Sequence, residues 1–192
     1  DRVSRGLGDV YKRQGGYCEA NKLGNLHMKV STVGVIGAGQ MGNGIAHVMA
    51  MAGYQVQIHD INQGALDASH GLIGKNMYRQ VKSGKISEDE HASALKRIQI
   101  TTDIVSLGHS DLIIEAATED ERTKQKIFDS LLPHIQDHTI LTSNTSSISI
   151  TRLASRTDRP EKFLGFHFMN PVPVMQLVEL IRGIATDQET YD

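Results

Sequence analysis

The sequence predicts a doubly wound α/β fold, with a mostly parallel sheet and a C-terminal strand pair. Three observations predict it. From Met28 onward, short β-branched apolar runs alternate with amphipathic stretches of helical period, as in strands joined by right-handed helical crossovers. The first apolar run ends in a cluster of glycines that opens the following helix. No internal repeat or low-complexity linker divides residues 28–192, so they are read as one domain.

The elements follow in order. VSTVGVIG (30–37) reads as a buried parallel strand. MGNGIAHVMAMAG (41–53) reads as a helix with Ile45, Val48, Met49 and Ala52 on one face and Gly53 as its C-terminal stop. YQVQIHD (54–60) places Val56 and Ile58 inward as a second strand. A longer, more polar helix spans 63–83 and breaks at Ser83-Gly84. Another runs from Ser87 to Lys96, opened by a Ser87-x-x-Glu90 capping box. IQITTD (98–103), DLIIEAA (111–117) and TILTSN (139–144) are further strands, with a helix over 119–132 that ends before Pro133. A short helix over 148–155 precedes two last strands, EKFLGFHF and VMQLVELI, around Pro171-Val-Pro173.

Composition narrows the function classes. The chain has 192 residues, 39% hydrophobic and 22% charged, enough for one domain with a substantial core. A net charge of −2 offers no support for a nucleic-acid or membrane-surface partner. No apolar run approaches the roughly 18 residues that a membrane span requires. The single cysteine, Cys18, excludes an internal disulfide framework and fits a reducing compartment, so a cytoplasmic protein is expected.

Residues 1–27 stand apart. They lack helical or strand periodicity, and Ser4–Gln14 (SRGLGDVYKRQ) resembles one reading frame of a sequencing adapter. The stretch is expected to be a non-native or disordered extension, with Met28 as the natural start. Without its five Lys/Arg and three Asp/Glu the remainder carries a formal −4.

Gly37-Ala-Gly39-Gln40-Met41-Gly42 is a GxGxxG motif. Alone it is a weak signal. Here it closes a strand and opens a helix, and Asp60 ends the second strand 18 residues after Gly42. This is the context of the Rossmann-type dinucleotide fingerprint. Gly37 permits the tight turn, Gly39 admits a pyrophosphate to the backbone, and Gly42 lets the helix approach the strand. The pyrophosphate meets free N–H groups at the positive helix end. Asp60 suits the adenosine ribose hydroxyls and repels a 2′-phosphate, and Ile61 and Asn62 supply no cation. NAD is therefore expected over NADP. The motif specifies a nucleotide and leaves the reaction open.

The reaction must come from SNTSSISIT (143–151) and FHFMNPVPVMQLVE (166–179). If 163–168 and 175–182 pair as an antiparallel hairpin, His167 and Glu179 lie equally far from Pro173 and so opposite each other, with Cβ atoms about 5 Å apart. An imidazole suits proton removal from a secondary alcohol, and a carboxylate on its far nitrogen fixes the tautomer.

Together with GVIGAGQMGNGIA and IIEAATED, these stretches make residues 29–192 resemble the N-terminal domain of the 3-hydroxyacyl-CoA dehydrogenase family, most of all the bacterial 3-hydroxybutyryl-CoA dehydrogenases. The resemblance implies NAD-dependent oxidation of a 3-hydroxyacyl-CoA to the 3-oxoacyl-CoA, in fatty-acid or butanoate metabolism and with no metal. It implies that His167 is the catalytic acid/base, Glu179 its partner, and Ser146 a hydroxyl on the reacting oxygen; Ser143, Thr145 and Ser147 are neighbours suited to cap the short helix. It places Ala116, Glu119, Lys124, Asn144 and Asn170 at the nicotinamide half of the cofactor. Lys124 is either such a contact or a solvated surface lysine. Lys75, Arg79, Lys82 and Lys85 fall where the family receives the CoA tail, or form a solvated face. The family's helical C-terminal domain, with a further substrate-contacting Asn and most of the homodimer interface, is expected to be missing from a chain ending at Asp192, which is then expected to bind NAD with little turnover. Two rival readings are an L-gulonate 3-dehydrogenase-like enzyme, or the dehydrogenase part of a multifunctional fatty-acid oxidation protein. A third is a non-catalytic NAD-binding or structural protein.

Overall fold

A computed structural model describes residues 29–192. The readings of residues 1–27, of Met28 as the start and of Cys18 lie outside the described residues. Seven strands form one sheet: β1 (Thr32–Ile36), β2 (Gln55–His59), β3 (Ile98–Thr101), β4 (Leu112–Glu115), β5 (Ile140–Ser143), β6 (Phe163–Phe168) and β7 (Val178–Arg182). Their order is β3-β2-β1-β4-β5-β6-β7. Every neighbouring pair is parallel except β6 and β7, which are antiparallel. The helices are α1 (Gln40–Met51), α2 (Gln63–Lys82), α3 (Glu88–Lys96), α4 (Glu121–Leu131), α5 (Ile150–Ala154) and α6 (Gln188–Tyr191).

Strand alternation divides the core between the two sheet faces. Val33, Val35, Ile58 and Ile114 pack with Ile45 and Ala46 of α1 and with Leu66, Ile73 and Met77 of α2. Ile36, Ile113 and Leu141 turn the other way, onto Phe128 and Leu131 of α4 and Leu153 of α5. Each of these side chains larger than alanine contributes about 1.5–3 kcal/mol by leaving water.

Helix α1 buries far more than the single face expected of it. Asn43, Gly44, Ala46, His47 and Ala50 are buried together with Ile45 and Met49, while Val48 and Ala52 are only half-buried. The reason is tertiary: α1 packs on the sheet and on α2 and α3, and the loop after β6 crosses it. A Cβ on Gly44 would stand 2.7 Å from Cβ of Val172. The capping box of α3 forms as expected, with Ser87 accepting from Glu90 N–H and Glu90 accepting from Ser87 N–H. The other departure is at β7, which starts at Val178 rather than Val174. Pro171 and Pro173 have no N–H to give a ladder. The backbone instead turns so that Val174 and Met175 both donate to the Pro171 carbonyl.

Candidate active site

The strand order reverses between β1 and β4, and in such sheets ligands bind in the crevice beyond the carboxyl ends of the strands there. Gly37 leaves β1 with φ +104°, and a Cβ on it would lie 2.7 Å from Cα of Ala117. A Cβ on Gly42 would collide with the Gly37 carbonyl oxygen at 1.8 Å, whereas one on Gly39 would meet no atom within 4 Å. Two glycines thus allow the chain to pass itself, and the third leaves open space above the turn. Gly39 is the N-cap of α1, has no side chain to accept from its first-turn N–H groups, and no acid stands in that turn. The geometry fits a pyrophosphate.

Asp60 is half-buried beside this turn. Its Oδ2 accepts from Ala38 N–H at 2.9 Å and its Oδ1 from Asn62 N–H at 2.9 Å. Both oxygens keep lone pairs for ribose hydroxyls. Met41 is half-buried, while Gln40 is exposed and reaches across to donate to Asn170 Oδ1 at 3.2 Å.

The ends of β4 and β5 lie beside this turn. Ala116 N–H donates to Ile36 O at 2.8 Å, and Asn144 N–H donates to Glu115 O at 2.8 Å. The Asn144 side chain accepts from Phe168 N–H at 2.8 Å, tying β5 to β6 next to His167. Glu119 is exposed, and its Oε1 gathers Thr145 Oγ1 (2.6 Å), Ser146 N–H (3.1 Å), Ser147 N–H (3.2 Å) and Ser147 Oγ (3.0 Å). Desolvation pushes the Glu119 carboxyl up; the Thr145, Ser147 and Ser146 hydrogen bonds and the Lys124 charge outweigh it and hold the group below the usual carboxylate range. Ser146 Oγ is exposed, 3.4 Å from the same oxygen. None of Ser143, Thr145 or Ser147 caps α5; Ser149 does, accepting from Arg152 N–H.

Lys124 corrects the solvated-surface reading. It is 0% exposed, and its ammonium donates to Glu115 Oε2 beneath the cleft. The helical stripe of α4 carries it inward, four residues before Phe128. Fully buried, it can reach a cofactor only through its neighbours.

The hairpin brings the expected dyad together. His167 pairs with Glu179 in the β6–β7 register, and His167 Nδ1 lies 2.8 Å from Glu179 Oε2. A carboxylate only accepts, so Nδ1 carries the proton and Nε2 is the basic nitrogen. Ser143 pairs with Gly165, so the chain leaving β5 through Asn144 and Ser146 runs alongside His167.

On the other face of β6 and β7 lies a groove of about 970 Å³, with Phe166, Phe168, Val178 and Leu180 as an apolar floor and Arg79 and Lys85 among its lining. Lys75 and Lys82, expected at a CoA tail, do not line it. Both are exposed, and the Lys82 ammonium stands over the Tyr78 ring at 5.0 Å. Asn76, Gln80 and Ser83 do line it; uncharged polar residues on a polar helix carry no signal in the sequence. Glu115 was also missed, although an acid closing the apolar run LIIE was visible. Among the described residues no cluster of three or more His, Cys, Asp or Glu is arranged to hold a metal. Nor is any helix long and apolar enough to cross a membrane.

Comparison with known proteins agrees with this geometry. The chain is 52% identical over 163 residues to a 3-hydroxybutyryl-CoA dehydrogenase of Bradyrhizobium diazoefficiens, covering 85% of this chain and 56% of that one. It is 45% identical over 163 residues to a probable 3-hydroxybutyryl-CoA dehydrogenase of Bacillus subtilis, covering 85% and 57%. The crystal structure of the (S)-3-hydroxybutyryl-CoA dehydrogenase of Ralstonia eutropha superposes with a TM-score of 0.82 at 45% identity, over 84% of this chain and 57% of that one. The chain therefore spans little more than half the length of the curated relatives it matches. Residues 32–192 match the family described as 3-hydroxyacyl-CoA dehydrogenase, NAD binding domain, and the chain belongs to that family, with NAD as its cofactor.

Proposed function

We propose that the protein catalyses NAD-dependent oxidation of (S)-3-hydroxyacyl-CoA, with 3-hydroxybutyryl-CoA as the favoured substrate, to the 3-oxoacyl-CoA, and the reverse. The observation that carries this reading is the His167–Glu179 contact of 2.8 Å at the carboxyl edge of the sheet, where the glycine turn opens. His167 Nε2 takes the hydroxyl proton while Glu179 stabilises the imidazolium, a contribution of about 10²–10⁴-fold. The exposed Ser146 hydroxyl, which donates to Glu119 over a long 3.4 Å contact, turns to donate to the same substrate oxygen. NAD, when bound, supplies the hydride acceptor. Asp60 holds the adenosine ribose, and Asn144, Asn170, Glu119 and the Ala116 backbone face the nicotinamide half. The basic side chains of α2 and the turn after it, Lys75, Arg79, Lys82 and Lys85, are the candidates for the CoA phosphates. The protein acts in the cytoplasm, as a homodimer of its full-length form.

Kinetics of the full-length gene product test the reading. NADH oxidation should be fast with acetoacetyl-CoA, and NAD reduction absent with L-gulonate. The reverse pattern assigns the L-gulonate reading. NADH binding without turnover on either substrate assigns the non-catalytic one.

A further inference from the structure

We propose that Glu115 is a positioning residue of the reaction. Through Lys124 and Ser143 it sets the ends of β4 and β5 against the nicotinamide half of the dinucleotide. The inference rests on the dehydrogenase reading above.

Glu115 is the last residue of β4 and pairs with Ile36 on one side and Ser143 on the other. It therefore stands at the reversal of strand order, and it is 0% exposed. Its Oε1 accepts from Ala117 N–H at 2.9 Å. Its Oε2 accepts from Ser143 Oγ at 2.8 Å and from the Lys124 ammonium. One carboxylate thus ties together the loop after β4, the end of β5 and helix α4. Each group that it holds adjoins one that the site uses. Ala117 follows Ala116 and lies against the Gly37 turn, Ser143 precedes Asn144, and the Lys124 charge acts on Glu119, which holds the Ser146 loop.

Stability gives a poor account of this arrangement. Lys124 is as deeply buried as Glu115, and taking both charges out of water costs about as much as their attraction returns. An apolar pair of similar volume would serve the fold as well or better. Charge here is explained by the need for one rigid, three-way acceptor under the cofactor cleft.

The test uses the full-length protein, with Tm, NADH affinity and kcat/KM for NADH measured for wild type, Glu115→Gln, Glu115→Leu/Lys124→Met and Ser143→Ala. Glu115→Gln should lower Tm and kcat/KM. The double variant should regain Tm, with NADH affinity or kcat/KM still reduced by at least about tenfold, as for a small misplacement of reacting groups. A double variant with wild-type Tm, affinity and kcat/KM overturns the proposal. Should the double variant fail to fold, Ser143→Ala decides: a loss of about threefold or more in kcat/KM at unchanged Tm supports the proposal, and no loss overturns it. If the wild type binds NADH but does not reduce acetoacetyl-CoA, the dehydrogenase reading fails, and the affinities alone decide the role of Glu115.

Discussion

His167 and Glu179 face each other across the antiparallel ladder of β6 and β7, with Nδ1 2.8 Å from Oε2. In the proposed mechanism Glu179 holds one tautomer and balances one positive charge. Replacing it with Gln keeps an acceptor of the same size and removes the charge. In the full-length enzyme, Glu179→Gln should lower kcat by about 10²-fold or more. The Kd for NADH, read by fluorescence titration, should stay within about twofold of wild type, because Glu179 lies outside the glycine turn and the Asp60 site.

The three glycines of the turn should separate stability from binding. Gly39→Ala adds a methyl that meets no protein atom within 4 Å, so Tm should change little while NAD affinity falls if, as proposed, the pyrophosphate occupies that space. Gly42→Ala places its methyl 1.8 Å from the Gly37 carbonyl oxygen and should lower Tm by several degrees along with binding. Thermal melts with and without NAD distinguish the two.

Asp60 should set the choice of cofactor. Its carboxylate is fixed by Ala38 and Asn62 N–H groups and cannot swing away from a 2′-phosphate without releasing the glycine turn. The ratio of kcat/KM for NADH over NADPH should exceed about tenfold in the full-length enzyme and shrink in Asp60→Asn, chiefly through KM. Equal use of NADPH by the wild type contradicts this.

Acid should lower the stability of the domain in two pH windows. Burial holds His47 and His59 below the usual imidazole range; their contribution is therefore complete above about pH 6.5 and declines as the pH falls below it. Burial pushes the Asp111 carboxyl up, but hydrogen bonds from Ser31 and Thr32 hold it well below the usual carboxylate range. Its contribution is complete above about pH 4 and is lost only as the pH falls further. Asp111→Asn should therefore cost about 1–3 kcal/mol at pH 7. That deficit, measured by denaturant unfolding, should narrow below about pH 4.

Much of this arrangement was legible in the residues. The glycine spacing, Asp60 and the hairpin register that pairs His167 with Glu179 depend on local periodicity and short separations, and each is found where the chain predicts it. What escaped depends on tertiary company. Gly44 and His47 lie outside the single apolar face read for α1; the loop at Val172 covers Gly44, and α2 brings Gln80 to His47. Lys124 sits on the inward stripe of a polar helix, and its partner Glu115 is the buried last residue of the strand before it, β4. The Glu119 contacts bridge two loops separated by more than twenty residues, a separation across which neither period nor propensity carries information.

The most direct measurement compares His167→Gln with wild type in the full-length protein, by single-turnover oxidation of bound NADH on mixing with acetoacetyl-CoA. The wild type should oxidise the cofactor, and the variant should bind NADH with unchanged Kd and oxidise it about 10²–10⁴-fold more slowly. A variant that turns over at the wild-type rate, or that has lost NADH binding in proportion to its activity, would show that His167 is not the proton acceptor.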